Sequence, residues 1–163
     1  QAPELVRRMI LAGTGPRGGG GIDKMATIVG GAYVKAMLTR SDPRNFLFFP
    51  RTPEGRKAAS DYFGRLKERR DNRDKKISLQ AGVAQVKAIR HAGQSQPDDP
   101  SVIAQPVCVA NGEHDLMVDS AHSADMARRL PNAQLKIYPN SGHGGVFQHH
   151  EAFVPDALQF LAS

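Results

Sequence analysis

"PVCVANGEHDLMVDS" (residues 106–120) and "AQLKIYPNSGHGGVFQHH" (residues 133–150) decide how this chain folds. Each opens as an apolar run of strand length and then breaks into a polar, glycine-bearing loop. Between the two runs, "DSAHSADMARRL" (119–130) is spaced as a helix that Asp119 or Ser120 can cap. After them, "HHEAFVPDALQFLAS" (149–163) closes the chain as a second helix. Strand, helix, strand, helix with short links is the pattern of an α/β layer on a parallel sheet, because parallel neighbours need a crossover between them.

In open parallel sheets ligands bind beyond the carboxyl ends of the strands, so chemistry is expected on the two loops. The first presents Glu113, His114, Asp115 and Asp119; the second places His143 between Gly142 and Gly144. A carboxylate and an imidazole on adjacent strand ends can pair there, the carboxylate selecting the imidazole tautomer and stabilising the imidazolium. Asp119 is more simply the cap of the following helix, and the loop leaves Glu113, Asp115 and Asp119 all open as the carboxylate. His149 and His150, close to His143, raise the idea of a metal site. Neighbouring histidines at a helix start read better as a surface cap region, and no carboxylate spacing completes a ligand set; no metal and no cofactor is expected. Cys108 is the only cysteine, which excludes an internal disulfide, and it sits inside a strand as a core residue.

Upstream, "ELVRRMILAG" (4–13) reads as a buried strand. The stretch behind it, "LAGTGPRGGGG" (11–21), matches G-x-G-x-x-G at Gly13, Gly15 and Gly18. A dinucleotide loop needs its third glycine to open a helix, with an acid about 20 residues further on. Gly18 is followed by three more glycines, so a helix cannot start before Ile22, and Pro16 stiffens the turn. The better reading is a flexible exit from a strand.

Residues 22–100 are mostly helical in pattern. "IDKMATIVGGAYVKAML" (22–38) is weakened in the middle by Gly30 and Gly31, and "NFLFFP" (45–50) is a short aromatic segment. "TPEGRKAASDYFGRLKERR" (52–70) has Thr52 as cap, Pro53 at the first helical position, and Ala59, Tyr62, Phe63 and Leu66 on one face. Ser78 caps a further helix with Leu79, Val83, Val86 and Ile89 on one side, and "GQSQPDDPS" (93–101) is a boundary loop. The division is thus a core strand and glycine-rich turn (1–21), a helical insert (22–100) and a C-terminal α/β core (101–163). Phe147 is expected to pack the final helix on the sheet; Phe46, Phe48 and Phe49 form the core of the insert or line a pocket.

At 163 residues and 40% hydrophobic, the chain can bury one core. Nothing approaches the roughly 20 consecutive apolar residues of a membrane span, and no signal-peptide pattern opens it, so a cytoplasmic protein with no membrane partner is expected. The first residue is Gln1, as in a processed product or a cut piece. Much of the net charge of +6 gathers between Arg51 and Lys76, where ten Lys/Arg face five Asp/Glu. The acids are interleaved and only Tyr62 and Phe63 are aromatic, which describes a solvated helix face; no nucleic acid is expected.

"PVCVANGEHDLMV", a helix, and "AQLKIYPNSGHGGVFQHHEAFVPDALQFL" together resemble the C-terminal end of α/β-hydrolase-fold enzymes, including serine esterase and haloperoxidase-like members. The resemblance is close over roughly the last 60 residues. It implies an incomplete parallel sheet of about three strands with a helical cap inserted after the first. Residue by residue, it carries the triad acid onto Asp115 and the triad base onto His143, in the family's order. The family's nucleophile stands on a G-x-S-x-G elbow, and no such motif occurs in these 163 residues. Ser141 lies on the histidine's own loop and lacks the elbow glycines. The resemblance therefore implies the C-terminal part of a cofactor-independent hydrolase of ester or acyl bonds, lacking its serine and nearly inactive alone. The other reading is a truncated, non-catalytic domain acting by association or ligand binding. In the family the first strand lies inside the sheet, so here its edge is expected to pair with a second copy or a companion N-terminal fragment.

Overall fold

The computed structural model describes residues 3–19, 24–72 and 77–163. Its sheet has three parallel strands in the order β1 (Met9–Ala12), β2 (Val107–Gly112), β3 (Ala133–Tyr138). Met9 pairs with Val107, and Val107 in turn with Ala133. The chain is an α/β protein with the incomplete parallel sheet expected from its sequence.

β2 lies in the middle and is buried along its whole length, which is why 107–110 is an uninterrupted apolar run rather than an alternating one. Helix α5 (Ser120–Arg129) covers one face, where Met126 and Leu130 close over Val107 and Val109. Each fully buried aliphatic side chain here contributes about 1.5–3 kcal/mol. Asp119 caps α5, its carboxylate accepting from Ala121 N at 2.9 Å. The C-terminal helices α6 (Gly145–Gln148) and α7 (His150–Ala162) follow β3. Tyr138 at the end of β3 stacks on His149 and meets Phe153 edge-on, while Lys136 pairs with Asp156 at 2.6 Å. Cys108 is buried in β2, and that burial pushes its thiol above the ordinary range, as suits a core residue.

Among the described residues four α-helices stand between β1 and β2: α1 (Met25–Thr39), α2 (Arg44–Leu47), α3 (Pro53–Glu68) and α4 (Leu79–Gly93). Thr52 caps α3 and Ser78 caps α4, each hydroxyl accepting a backbone N–H at 3.1 Å. Asp42 grips Arg44 through both carboxylate oxygens and also accepts its backbone N–H. The guanidinium so held lies over Tyr62 and Phe63, tying α2 to α3.

Several expectations are corrected. The first strand is four residues long, because a 3₁₀ turn at Pro3–Leu5 takes up the start of the apolar run and leaves Leu5 exposed. On α4, Val83 and Val86 are exposed, since little of the chain packs against that helix. Leu66 is likewise 40% exposed, although it shares the helix with the buried Ala59. Phe147 does not join the last helix to the sheet. It stacks on Phe48 at 6.0 Å and touches Tyr62 at 5.4 Å, bonding the start of the C-terminal helices to the helical segment. The glycines at 20 and 21 lie outside the described residues.

Candidate active site

β2 and β3 run parallel, so their carboxyl ends deliver two loops to the same edge of the sheet. The first loop, 113–118, is curled by Asn111 at the end of β2. Its buried amide donates to Val118 O at 2.9 Å and to Ser123 Oγ at 3.0 Å, and its oxygen accepts from Gly112 N. Drawing the carbonyl of Val118 back onto the strand end turns the side chain of Asp115 inward. One carboxylate oxygen, Oδ1, accepts from Met117 N and Val118 N at 2.7 and 3.0 Å. The other, Oδ2, stands 2.8 Å from His143 Nδ1.

The Asp115 side chain is wholly buried and that of His143 is 21% exposed. An ionised carboxylate only accepts hydrogen bonds, so the bond to His143 requires the proton on Nδ1. In the neutral imidazole Nε2 then carries the lone pair, and Nε2 has no hydrogen-bond partner among the described residues. Of the three carboxylates on this loop and at the start of α5, Asp115 alone reaches His143. Asp119 caps α5, and Glu113 turns away to accept the backbone N–H of Asn140 at 2.9 Å.

The histidine loop is pressed against three neighbours. His114 N donates to Ser141 O, and a side chain on Gly112 would run into the carbonyl of Gly142, so the two loops meet backbone to backbone. From the helical segment, Leu47 O accepts His143 N at 3.3 Å and Phe48 O accepts Gly144 N at 3.0 Å. The Phe48 ring lies 5.5 Å from the imidazole. The third neighbour is Gly13, just after β1, at φ +57°. A Cβ there would sit 3.0 Å from His143 Cε1. This is the work of the first glycine of the G-x-G-x-x-G stretch: it makes room for an imidazole, not a pyrophosphate.

Ser141 is fully buried and its hydroxyl donates to Tyr138 O at 2.8 Å, so it holds the loop and does not face the imidazole. His149 bonds Pro139 O through Nε2, and no cluster of three or more His, Cys, Asp or Glu side chains suited to a metal occurs among the described residues. A cavity of about 410 Å³ lies behind Asp115, beside Ile28, Met117 and His122. A larger one of about 550 Å³ is lined by Phe46, Phe49, Phe63 and Arg51 and shares no residue with the Asp115–His143 pair. Sequence reasoning singled out Asp115 and His143 but missed Asn111 and the place of Gly13. An asparagine at the buried end of an apolar strand was the available signal for the first.

A parallel α/β sheet with a carboxylate–imidazole pair beyond its strand ends defines the class. No protein-family model matches the sequence. The structure superposes on an α/β hydrolase fold protein from Chitinophaga pinensis with a TM-score of 0.91 and 31% identity, over 99% of this chain and 58% of that one. BpoC of Mycobacterium tuberculosis H37Rv, described as a non-heme bromoperoxidase, superposes with a TM-score of 0.64 at 22% identity, over 99% of this chain and 59% of that one, and shows the fold alone. In sequence, 65 residues are 40% identical to RutD of Caulobacter sp. strain K31, whose name describes it as a carbamate hydrolase; they make up 40% of this chain and 24% of that protein. The chain has part of the α/β-hydrolase fold and corresponds to the C-terminal part of the proteins it matches. It spans somewhat over half the length of the solved structures it matches and a quarter of the curated relative. No helix among the described residues is long and apolar enough to cross a membrane.

Proposed function

We propose that this chain supplies the acid and base of a cofactor-independent serine hydrolase acting on esters or related acyl bonds, and that the nucleophile comes from a polypeptide beyond these residues. The observation that carries the reading is the 2.8 Å contact between the buried Asp115 and His143 Nδ1, with Nε2 left free. His143 Nε2 takes the proton of the serine hydroxyl as its oxygen attacks the acyl carbon, then returns that proton to the leaving group. Asp115 stays ionised, held by two backbone N–H groups, and stabilises the imidazolium in between. The helices between β1 and β2 act as the cap, with Phe48 forming the wall beside the imidazole. The substrate is a small ester-like molecule. Without a serine nucleophile and its oxyanion hole, the main covalent and electrostatic contributions to acyl transfer are missing, so the isolated chain is close to inactive.

The test mixes the chain with the N-terminal part of the Chitinophaga relative, then follows turnover of an activated ester and labelling by a fluorophosphonate. The expected result is label on the added part only, with turnover lost in His143→Ala. Label on this chain, or fast turnover by it alone that needs His143, would sink the missing-nucleophile reading. A second reading, a domain that acts by association without chemistry, draws on the open side of β1 and on the exposed Tyr33, Val34, Met37 and Leu38 of α1. It gains if no mixture turns over.

A further inference from the structure

Asn140 is the point at which the helical segment, the acid loop and the histidine loop are joined. It is one of three non-glycine residues at positive φ among the described residues, at +46°, in the left-handed region that asparagine tolerates better than most. Its backbone N–H donates to Glu113 Oε2 at 2.9 Å, and its carbonyl accepts from Gln148 Nε2 at 2.8 Å. Its side-chain oxygen accepts from Thr52 Oγ1 at 3.2 Å. The same Thr52 oxygen accepts from Gly55 N, so a single hydroxyl caps α3 and bonds the loop that carries His143. The sharp turn at Asn140 starts that loop, three residues before the imidazole.

We propose that Asn140 is a positioning residue for His143: through the Thr52 hydroxyl it makes the alignment of the imidazole with Asp115 depend on the docking of α3. This rests on the reading of His143 as the base, but its test needs no turnover. A residue holding only the local backbone would affect folding; a residue that aligns His143 must affect the Nδ1–H···Oδ2 bond itself.

The experiment measures solvent exchange of the His143 Nδ1 proton by NMR in the full chain, with the β2 backbone amides as a control for global opening. Asn140→Gly keeps the positive φ and both backbone bonds and removes the side-chain amide, with its bond to Thr52 and its contact with Glu54. Exchange at Nδ1 is expected to rise roughly tenfold, with β2 amides unchanged, as for a local opening. Thr52→Val should do the same, the double variant no more than either single one, and Thr52→Ser should behave as wild type. Unchanged Nδ1 exchange in Asn140→Gly, or a parallel rise in β2, overturns the proposal and leaves the base assignment intact. Failure to find a protected Nδ1 proton in the wild type overturns the base assignment and this proposal with it.

Discussion

At the scale of single residues, Asp115 shows how one side chain serves two purposes with opposite costs of removal. Asp115→Asn keeps an oxygen for Met117 N and Val118 N, so the fold should survive with little loss. The amide, however, presents N–H to His143 and forces the imidazole proton onto Nε2, removing the base. In a reconstituted enzyme kcat should fall about 10⁴-fold with Tm nearly unchanged. Asp115→Ala instead strands two backbone N–H groups, each costing about 1–3 kcal/mol, and a urea titration should show it. Gly13→Ala is the complementary case. It adds a Cβ 3.0 Å from His143 Cε1 at a φ of +57°, and the left-handed conformation alone costs about 1–2 kcal/mol. The imidazole must also move, so activity should drop by more than stability explains. Equal kcat/KM in Gly13→Ala and wild type would show that the close approach is incidental.

Among the elements, the α2–α3 pair offers a pH-dependent contribution. The hydrogen-bonded Arg44 side chain holds the Asp42 carboxyl below the ordinary carboxylate range. A lowered folded pKa means that the stabilisation is fully present above the unfolded value of about 3.9 and is lost as pH falls through the lower folded value. With both side chains a third or more exposed, its size is about 0.2–1 kcal/mol. Asp42→Asn should therefore lower the denaturation midpoint at neutral pH and match wild type in strong acid; an equal deficit at both would assign the effect to the turn instead. On α4, the exposed Val83 and Val86 predict that Val83→Asp and Val86→Asp change stability by no more than about 0.5 kcal/mol. The capped ends of α3, α4 and α5 were legible because a cap is a local bargain between one side chain and an amide two or three residues on. The exposure of α4 was not, because periodicity names a face and not whether anything packs against it.

For the whole molecule, the decisive feature is the edge of β1, which among the described residues pairs with β2 alone. Met9 N and Gly13 N donate toward β2, to Pro106 O and Ala110 O, so the alternation of a strand points the amides of Ile10 and Ala12 outward. Such an edge recruits another strand. Sedimentation should show association that grows with concentration, and Ala12→Pro should suppress it, because a proline facing the open side spares the β2 ladder. A wild-type monomer at high concentration would count against the edge as an association surface.

The sequence by itself determined the α/β class, the parallel order of the last two strands, the helix caps, and two polar loops bearing carboxylates and a histidine; the resemblance to α/β hydrolases then pointed to Asp115 and His143. These follow from spacing, apolar runs and short motifs, all of them properties of neighbours in the chain. Only the tertiary structure decided that Asp115 outcompetes Glu113 and Asp119, that Asn111 curls the acid loop, and that Gly13 yields space to an imidazole 130 residues away. It likewise turned Phe147 toward the helical segment. Those outcomes depend on which loop ends meet in space, and a buried contact between distant residues leaves no local period or spacing to read.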